Sequence, residues 1–163
     1  MKTTIAAHRV IQPTFELQAE GITAFSLYAY YIGSLSVSLN NDNLFKVYTP
    51  TYVDKGSRSE FDQPYTGKIA IRGNLNTATI FNFDGINQIG AIKFDLSEFA
   101  KLPNLEQIGA SHGTAYPTGS IASLPKKLKT IFLARGYITG DILDIPKTIE
   151  IFLVATNSDI IGL

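Results

Sequence analysis

Between Phe25 and Leu39 the chain alternates: Phe25, Leu27, Ala29, Tyr31, Gly33, Leu35, Val37 and Leu39 hold the odd positions, and Ser34, Ser36 and Ser38 hold even ones. A period of two sends successive side chains to opposite faces of an extended backbone, so this stretch predicts strands. Asn40-Asn41-Asp42-Asn43 follows with side chains that tolerate tight turns, and Leu44-Phe45-Lys46-Val47-Tyr48 resumes the β-prone run until Pro50. A hairpin turning near residues 40–43 is expected. Residues 54–67 mix charge, Gly, Ser and Pro with little apolar content, which predicts a long loop. The chain is expected to divide there, into a β-rich section over 1–60 and a second section over 61–163.

The second section repeats itself. Residues 124–133, from Leu124-Pro125 to Phe132-Leu133, align without a gap on residues 145–154, from Ile145-Pro146 to Leu153-Val154, at an offset of 21 residues. Leu102-Pro103-Asn104-Leu105-Glu106-Gln107-Ile108-Gly109-Ala110 keeps the same order, and Ala78-Thr79-Ile80-Phe81-Asn82-Phe83 is a shorter copy before it. Each copy then reaches a Gly-x-Ile step, read as Gly90-Ala91-Ile92, Gly119-Ser120-Ile121 and Gly140-Asp141-Ile142, with Gly162-Leu163 last. A unit of about 21 residues cannot enclose a core alone, so its apolar side chains must stack on those of neighbouring units. Pro103, Pro125 and Pro146 precede the strands, where a missing amide donor is tolerated and helix continuation is blocked. One short helix is expected over Asp95–Leu102, where Leu96, Phe99 and Leu102 recur every third residue, Asp95 or Ser97 can cap and Pro103 ends the segment.

The internal spacing is apolar-x-x-apolar-x-apolar-x-x-(Asn/Gly): Leu105/Ile108/Ala110/Gly113, Leu128/Ile131/Leu133/Gly136 and Ile149/Phe152/Val154/Asn157, with Ala78/Phe81/Phe83/Ile86 as a degraded first copy. This pattern resembles the leucine-rich-repeat family, and the Leu-Pro-Lys-x-Leu and Ile-Thr-Gly-Asp-Ile wording resembles the short repeats of Bacteroidetes surface proteins and their phages. The resemblance covers roughly residues 75–163. It implies short strands whose three central apolar positions point inward and an Asn that satisfies backbone groups at the turn. Only Asn157 matches that Asn position; Gly113 and Gly136 can turn but supply no side-chain hydrogen bonds. The expected fold is mainly β: a β-rich N-terminal cap followed by a leucine-rich-repeat-like solenoid of about four coils, with at most one short helix.

Charge and composition narrow the functional classes. Fourteen Lys+Arg balance fourteen Asp+Glu, so no basic surface is expected for nucleic acid. The absence of Cys excludes thiolate chemistry, disulfides and Cys-ligated metals. The two histidines are His8 and His112; His112 follows Ser111 directly, and adjacent residues on a strand point apart, so they form no nucleophile–base pair. Glycines between Gly109 and Gly119 lack the Lys-Ser/Thr of a phosphate loop and read as repeat turns. Asp42 among Asn40, Asn41 and Asn43 offers one carboxylate, too few for a Ca²⁺ site. Asp84 and Glu106 are the nearest carboxylate pair for glycoside chemistry, and nothing in their spacing is special. No enzymatic activity, cofactor or metal is expected. The first residues hold no apolar run of signal-peptide length, and the run from Phe25 to Leu39 is too interrupted to span a membrane.

Attention therefore shifts to the positions between the inward ones. Across successive units they form the rows Ile80, Gln107, Thr130, Ile151; Asn82, Gly109, Phe132, Leu153; Asp84, Ser111, Ala134, Ala155; and Gly85, His112, Arg135, Thr156. Gln107, His112, Thr130, Phe132, Arg135, Ile151 and Leu153 are the expected contact surface, since an exposed apolar patch signals an interface. A shift of one residue would instead bury Phe132, Ile151 and Leu153 and turn Leu133 and Val154 outward. Ile160-Ile161-Gly162-Leu163 presents no polar closing unit, so that end is expected to be covered by further chain, a second copy or a partner. The aromatic residues of the first section, among them Phe15, Phe25, Tyr28, Tyr30, Tyr48 and Tyr52, are expected to cap the opposite end, or else to form a contact surface. The functional expectation is a non-enzymatic protein-interaction or structural module that binds a protein partner or itself, such as a phage virion accessory or fibre component. A carbohydrate-binding module and a fragment of a bacterial surface adhesin are the alternatives.

Overall fold

The computed structural model describes residues 13–22, 25–30, 35–39, 46–48, 52–53, 56–61, 65–84, 90–110, 115–155 and 157–162. These residues form a mainly β fold of two open, mixed sheets. In the first section lie β1 (Phe15–Ile22), β2 (Phe25–Tyr30), β3 (Leu35–Leu39), β4 (Lys46–Tyr48), β5 (Tyr52–Val53), β6 (Gly56–Phe61) and β7 (Tyr65–Gly73). The rest of the chain supplies β8 (Ile80–Asp84), β9 (Ala91–Asp95), β10 (Gln107–Ala110), β11 (Ala115–Ser120), β12 (Thr130–Leu133), β13 (Tyr137–Asp141), β14 (Ile151–Val154) and β15 (Asn157–Ile161). One sheet runs β15-β13-β11-β9-β1-β7-β3-β4, the other β14-β12-β10-β8-β2-β6-β5. From β8 onward the chain therefore alternates between the two sheets, each strand parallel to the next one in its own sheet.

The 21-residue offset sets the register of β12 on β14, and equivalent residues of the longer earlier units pair at offsets of 23 and 27 residues. Ile131 pairs with Phe152 and Thr130 with Ile151, while Ile108 pairs with both Ile131 and Phe81. Phe81, Ile108 and Ile131 are fully buried, and Phe152 packs against the core from the last unit. A repeated ladder precedes each strand: Thr79 O accepts from the N–H groups of Glu106 and Gln107, Glu106 O from Lys129 and Thr130, and Lys129 O from Glu150 and Ile151, at 2.8–3.1 Å. These backbone bonds hold neighbouring units in step, and the buried column between them excludes water.

The Gly-Ser-Ile and Gly-Asp-Ile steps have a different cause. Asp95, Ser120 and Asp141 each accept a bond from the amide two residues on, capping the 3₁₀ turns Leu96–Lys101, Ile121–Ser123 and Ile142–Asp144. A glycine lies against the cap of the preceding unit each time. A Cβ on Gly119 would come 2.7 Å from Asp95 Oδ2, and one on Gly140 would come 2.7 Å from Ile121 Cγ1 and 3.2 Å from Ser120 Oγ. Both glycines also have positive φ, +97° and +129°. Gly90-Ala91-Ile92 is not a member of this series: Ile92 is a buried strand residue of β9, and Leu96 is the structural counterpart of Ile121 and Ile142. The segment expected as one short helix is a 3₁₀ helix, as a three-residue apolar recurrence requires, and Leu96, Phe99 and Leu102 are all buried. The other 3₁₀ elements among the described residues are single turns, Leu75–Thr77 included.

The first section continues both sheets with antiparallel strands. β1 pairs with β9 and β2 with β8, so the outer edges of the first repeat unit are covered. Phe15 sits at this junction, its ring centroid 4.8 Å from Phe81 and 5.3 Å from Phe99, with Phe83 and Phe94 completing the cluster. Glu98 ties the same place together, accepting from the Glu16 amide at 2.6 Å and from Lys101 Nζ at 2.7 Å. The expected hairpin is present as the antiparallel pair β3 and β4; its turn at residues 40–43 lies outside the described residues. The long loop expected over 54–67 is a correction. β6 and the start of β7 occupy that stretch, because β6 pairs with β2 and β5 while β7 pairs with β1 and β3. Backbone ladder bonds stabilise a polar strand that composition assigns to a loop.

Candidate functional site

Outward-facing side chains of the seven-stranded sheet meet in two rows. Register places Tyr30 beside Ile80, then Gln107, Thr130 and Ile151; the second row is Tyr28, Asn82, Gly109, Phe132 and Leu153. Parallel neighbours lie about 4.8 Å apart, so side chains within a row touch. Ile151 is 44% exposed and Leu153 57%, whereas Ile131 and Leu133 between and beside them are buried. The shift of one residue is thereby excluded. Tyr28, Tyr30, Ile80, Asn82, Gln107, Thr130 and Phe132 are half-buried on this face.

A dip interrupts the second row. Gly109 has no side chain, and Asn82 leans over it: a Cβ there would stand 2.6 Å from Asn82 Oδ1. That oxygen is buried and has no hydrogen-bond partner among the described residues. Tyr28 and Phe132 flank the dip along the row, so an unsatisfied acceptor sits between two aromatic side chains. None of the residues in these two rows is charged. Charge gathers instead at the strand starts, where Lys129 Nζ is 2.7 Å from Glu106 Oε2. The hydrogen bond and the charge of Glu106 hold the Lys129 ammonium above the ordinary lysine range, with Glu150 adding to the effect. An uncharged, partly apolar centre with ion pairs at its margin is the usual anatomy of a protein contact surface.

Of the residues expected to form the contact surface, Gln107, Thr130, Phe132, Ile151 and Leu153 share this face. His112 lies outside the described residues. Arg135 does not join the face, which corrects the fourth row at that position. The chain turns at Gly136, with φ +121°, and carries Arg135 toward the other sheet, where Nη1 donates to Tyr116 Oη at 3.0 Å. Tyr28 and Tyr30 extend the face from the first section; Tyr48 lies in β4 of the opposite sheet and Tyr52 on edge strand β5.

The eight-stranded sheet presents a different outer surface. Glu16 pairs with Lys68 at 2.6 Å and Glu20 with Lys93 at 2.7 Å, a pattern of mutually neutralised surface charge. Toward its C-terminal end lies a groove of about 560 Å³ lined by Lys93, Tyr116, Thr118, Arg135 and Tyr137 among others. Tyr137 is 51% exposed and donates its phenol proton to Asp159, which raises the tyrosine above its ordinary pKa. Sequence reading missed this groove, although Tyr116-x-Thr-Gly-x-Ile and Tyr137-x-Thr-Gly-x-Ile recur at the same 21-residue offset.

Among the described residues no three His, Asp or Glu side chains are grouped to hold a metal ion, and no helix is long and apolar enough to cross a membrane. Comparison of the chain with protein-family models, with curated proteins and with solved structures finds no match in any of the three.

Proposed function

We propose that the chain is a non-enzymatic protein-interaction module whose contact surface is the outer face of the seven-stranded sheet. Its parallel half then works as a short leucine-rich-repeat-like solenoid, with the antiparallel strands as its cap. The reading rests on one observation: Phe132, Ile151 and Leu153 stand together on a face whose two central rows carry no charge from β2 to β14. An exposed apolar cluster gains from being covered, at roughly 25 cal/mol per Å² of apolar surface removed from water. β14 and β15 have their outer edges unpaired in the described structure, which gives a partner a second means of attachment by strand addition.

Photo-crosslinking in the native host tests this reading. Benzoylphenylalanine in place of Leu153 should trap a defined protein, or a second copy of the chain, and the same group in place of Thr118 on the other sheet should not. Equal crosslinking from both positions, or none from Leu153, overturns it. The resemblance to short repeats of Bacteroidetes surface proteins and their phages supports the finer proposal that the partner belongs to a virion, with this chain as an accessory or fibre component. Its detection in purified phage particles tests that part separately.

A further inference from the structure

The groove on the eight-stranded sheet has a chemistry unlike that of the contact face. Its walls are two tyrosines from successive strands, β11 and β13, bordered by Ala134, Gly136 and Ala155 of the turns that follow β12 and β14. Arg135 approaches the hydroxyl end of Tyr116, with Nη1 3.0 Å from Oη and Cζ 5.9 Å from the ring centroid, at the limit of cation–π reach. The guanidinium thus sits beside the phenol and the ring remains part of the groove lining. Tyr137 closes the other side, and Asp159 lies at its hydroxyl. Thr118, from the same strand as Tyr116, also lines the groove.

Charge then selects among ligands. Lys93 is matched by Glu20 at 2.7 Å, and the carboxylate of Asp159 stands at the margin that Arg135 would otherwise make positive. The charged residues of the lining are Lys93 and Arg135, with Glu20 bound to Lys93 and Asp159 bound to the Tyr137 hydroxyl just outside it, so the two carboxylates offset the attraction an anionic ligand would feel. A ligand rich in hydroxyl groups suits the same side chains better, since each hydroxyl both donates and accepts. Arg135 supplies donors, the Tyr116 hydroxyl, which accepts from Arg135, keeps its own proton to give, and the Tyr137 oxygen, whose proton goes to Asp159, accepts. Aromatic faces complement the C–H faces of a pyranose ring, and a groove of about 560 Å³ falls within the range of small-ligand sites.

We infer that the groove between Tyr116 and Tyr137 binds a neutral glycan, with pyranose rings against the two tyrosines and hydroxyls bonded to Arg135 and the two phenol oxygens. A glycan array of neutral and uronate-containing oligosaccharides, followed by calorimetric titration of the best neutral ligand, tests this. The full chain should bind neutral glycans, and Tyr116→Ala and Tyr137→Ala should each weaken binding at least ten-fold. Leu153→Ser, outside the lining and on the seven-stranded sheet, should bind as the parent does. Because Tyr137 is half exposed, Tyr137→Ala should keep the parental circular dichroism and so separates lost recognition from lost folding. Absence of any neutral glycan ligand, binding confined to uronates, or parental affinity in a folded Tyr137→Ala variant each overturns the inference. None of those outcomes bears on crosslinking from position 153.

Discussion

Shortening Ile131 to Ala should destabilise the protein far more than the same change at Ile151, twenty residues along on the next strand of the sheet. Ile131 is fully buried and is stacked between Ile108 and Phe152 in the interior column, whereas Ile151 is 44% exposed. Removing a buried Ile side chain forfeits its transfer free energy and leaves a cavity that the ladders on both sides prevent from closing. The cost is about 3–4 kcal/mol, within the range for such truncations. Ile151→Ala loses only part of a side chain already in contact with water, so about 1 kcal/mol or less is expected. Urea unfolding followed by circular dichroism reads the difference. With a slope of about 2 kcal/mol per molar urea, Ile131→Ala lowers the midpoint by about 1.5–2 M, and Ile151→Ala by at most about 0.5 M. In a thermal melt the same Ile131→Ala change lowers Tm by roughly 6–15 °C. Equal shifts for the two variants, or a larger one for Ile151→Ala, would refute the inward and outward assignment on which the contact face depends.

Three further outcomes follow from the same coordinates. Gly119→Ala should cost about 1–3 kcal/mol in urea titration, because an Ala there needs φ near +97° and presses on the Asp95 carboxylate; a loss below 0.5 kcal/mol, within the usual scatter for surface changes, would contradict the packing of glycine on cap. Asp95→Ala should lower stability by about 1 kcal/mol through loss of the bond from the Ser97 amide, and Asp95→Asn or Asp95→Ser should restore most of it. Tyr137 should ionise at higher pH than ordinary tyrosines, since its neutral phenol is the donor to Asp159. That contribution to stability is complete below the ordinary tyrosine range and disappears as pH rises through the elevated value, and Asp159→Asn should bring the titration at 295 nm back toward the ordinary range.

The seven-stranded sheet is the part of the molecule most legible in the sequence. β12 and β14 pair at the offset that aligns Leu124–Leu133 with Ile145–Val154, so residues equivalent in the repeat become neighbours in space, and Thr130 with Ile151 and Phe132 with Leu153 could be placed side by side from spacing alone. The eight-stranded sheet obeys no such rule. Thr118 pairs with Tyr137 and Tyr137 with Asn157, so the strand register departs from the 21-residue offset that makes Tyr116 and Tyr137 equivalent in the sequence, and spacing alone does not place the groove. Equating Gly90 with Gly119 and Gly140 failed for a related reason. A glycine followed two residues later by Ile satisfies the pattern, but only beside a cap of the preceding unit does that glycine do the same job. β6, with the sequence Gly-Ser-Arg-Ser-Glu-Phe, was hidden because its pairing with β2 and β5 depends on backbone groups that every residue carries. Arg135 was placed on the contact face by counting along an ideal strand, and the turn at Gly136 ends that count.

The natural absence of cysteine allows the register and facing of the strands to be measured directly by introduced pairs. In-register partners on adjacent parallel strands have Cα atoms about 4.8 Å apart with side chains on one face, within disulfide reach, whereas a partner one residue away points to the opposite face. Under mild oxidation, Gln107→Cys with Thr130→Cys should form an intramolecular disulfide, and Gln107→Cys with Ile131→Cys should not. A disulfide in the second pair and none in the first would contradict the arrangement that sets Gln107, Thr130, Phe132, Ile151 and Leu153 on one exposed face.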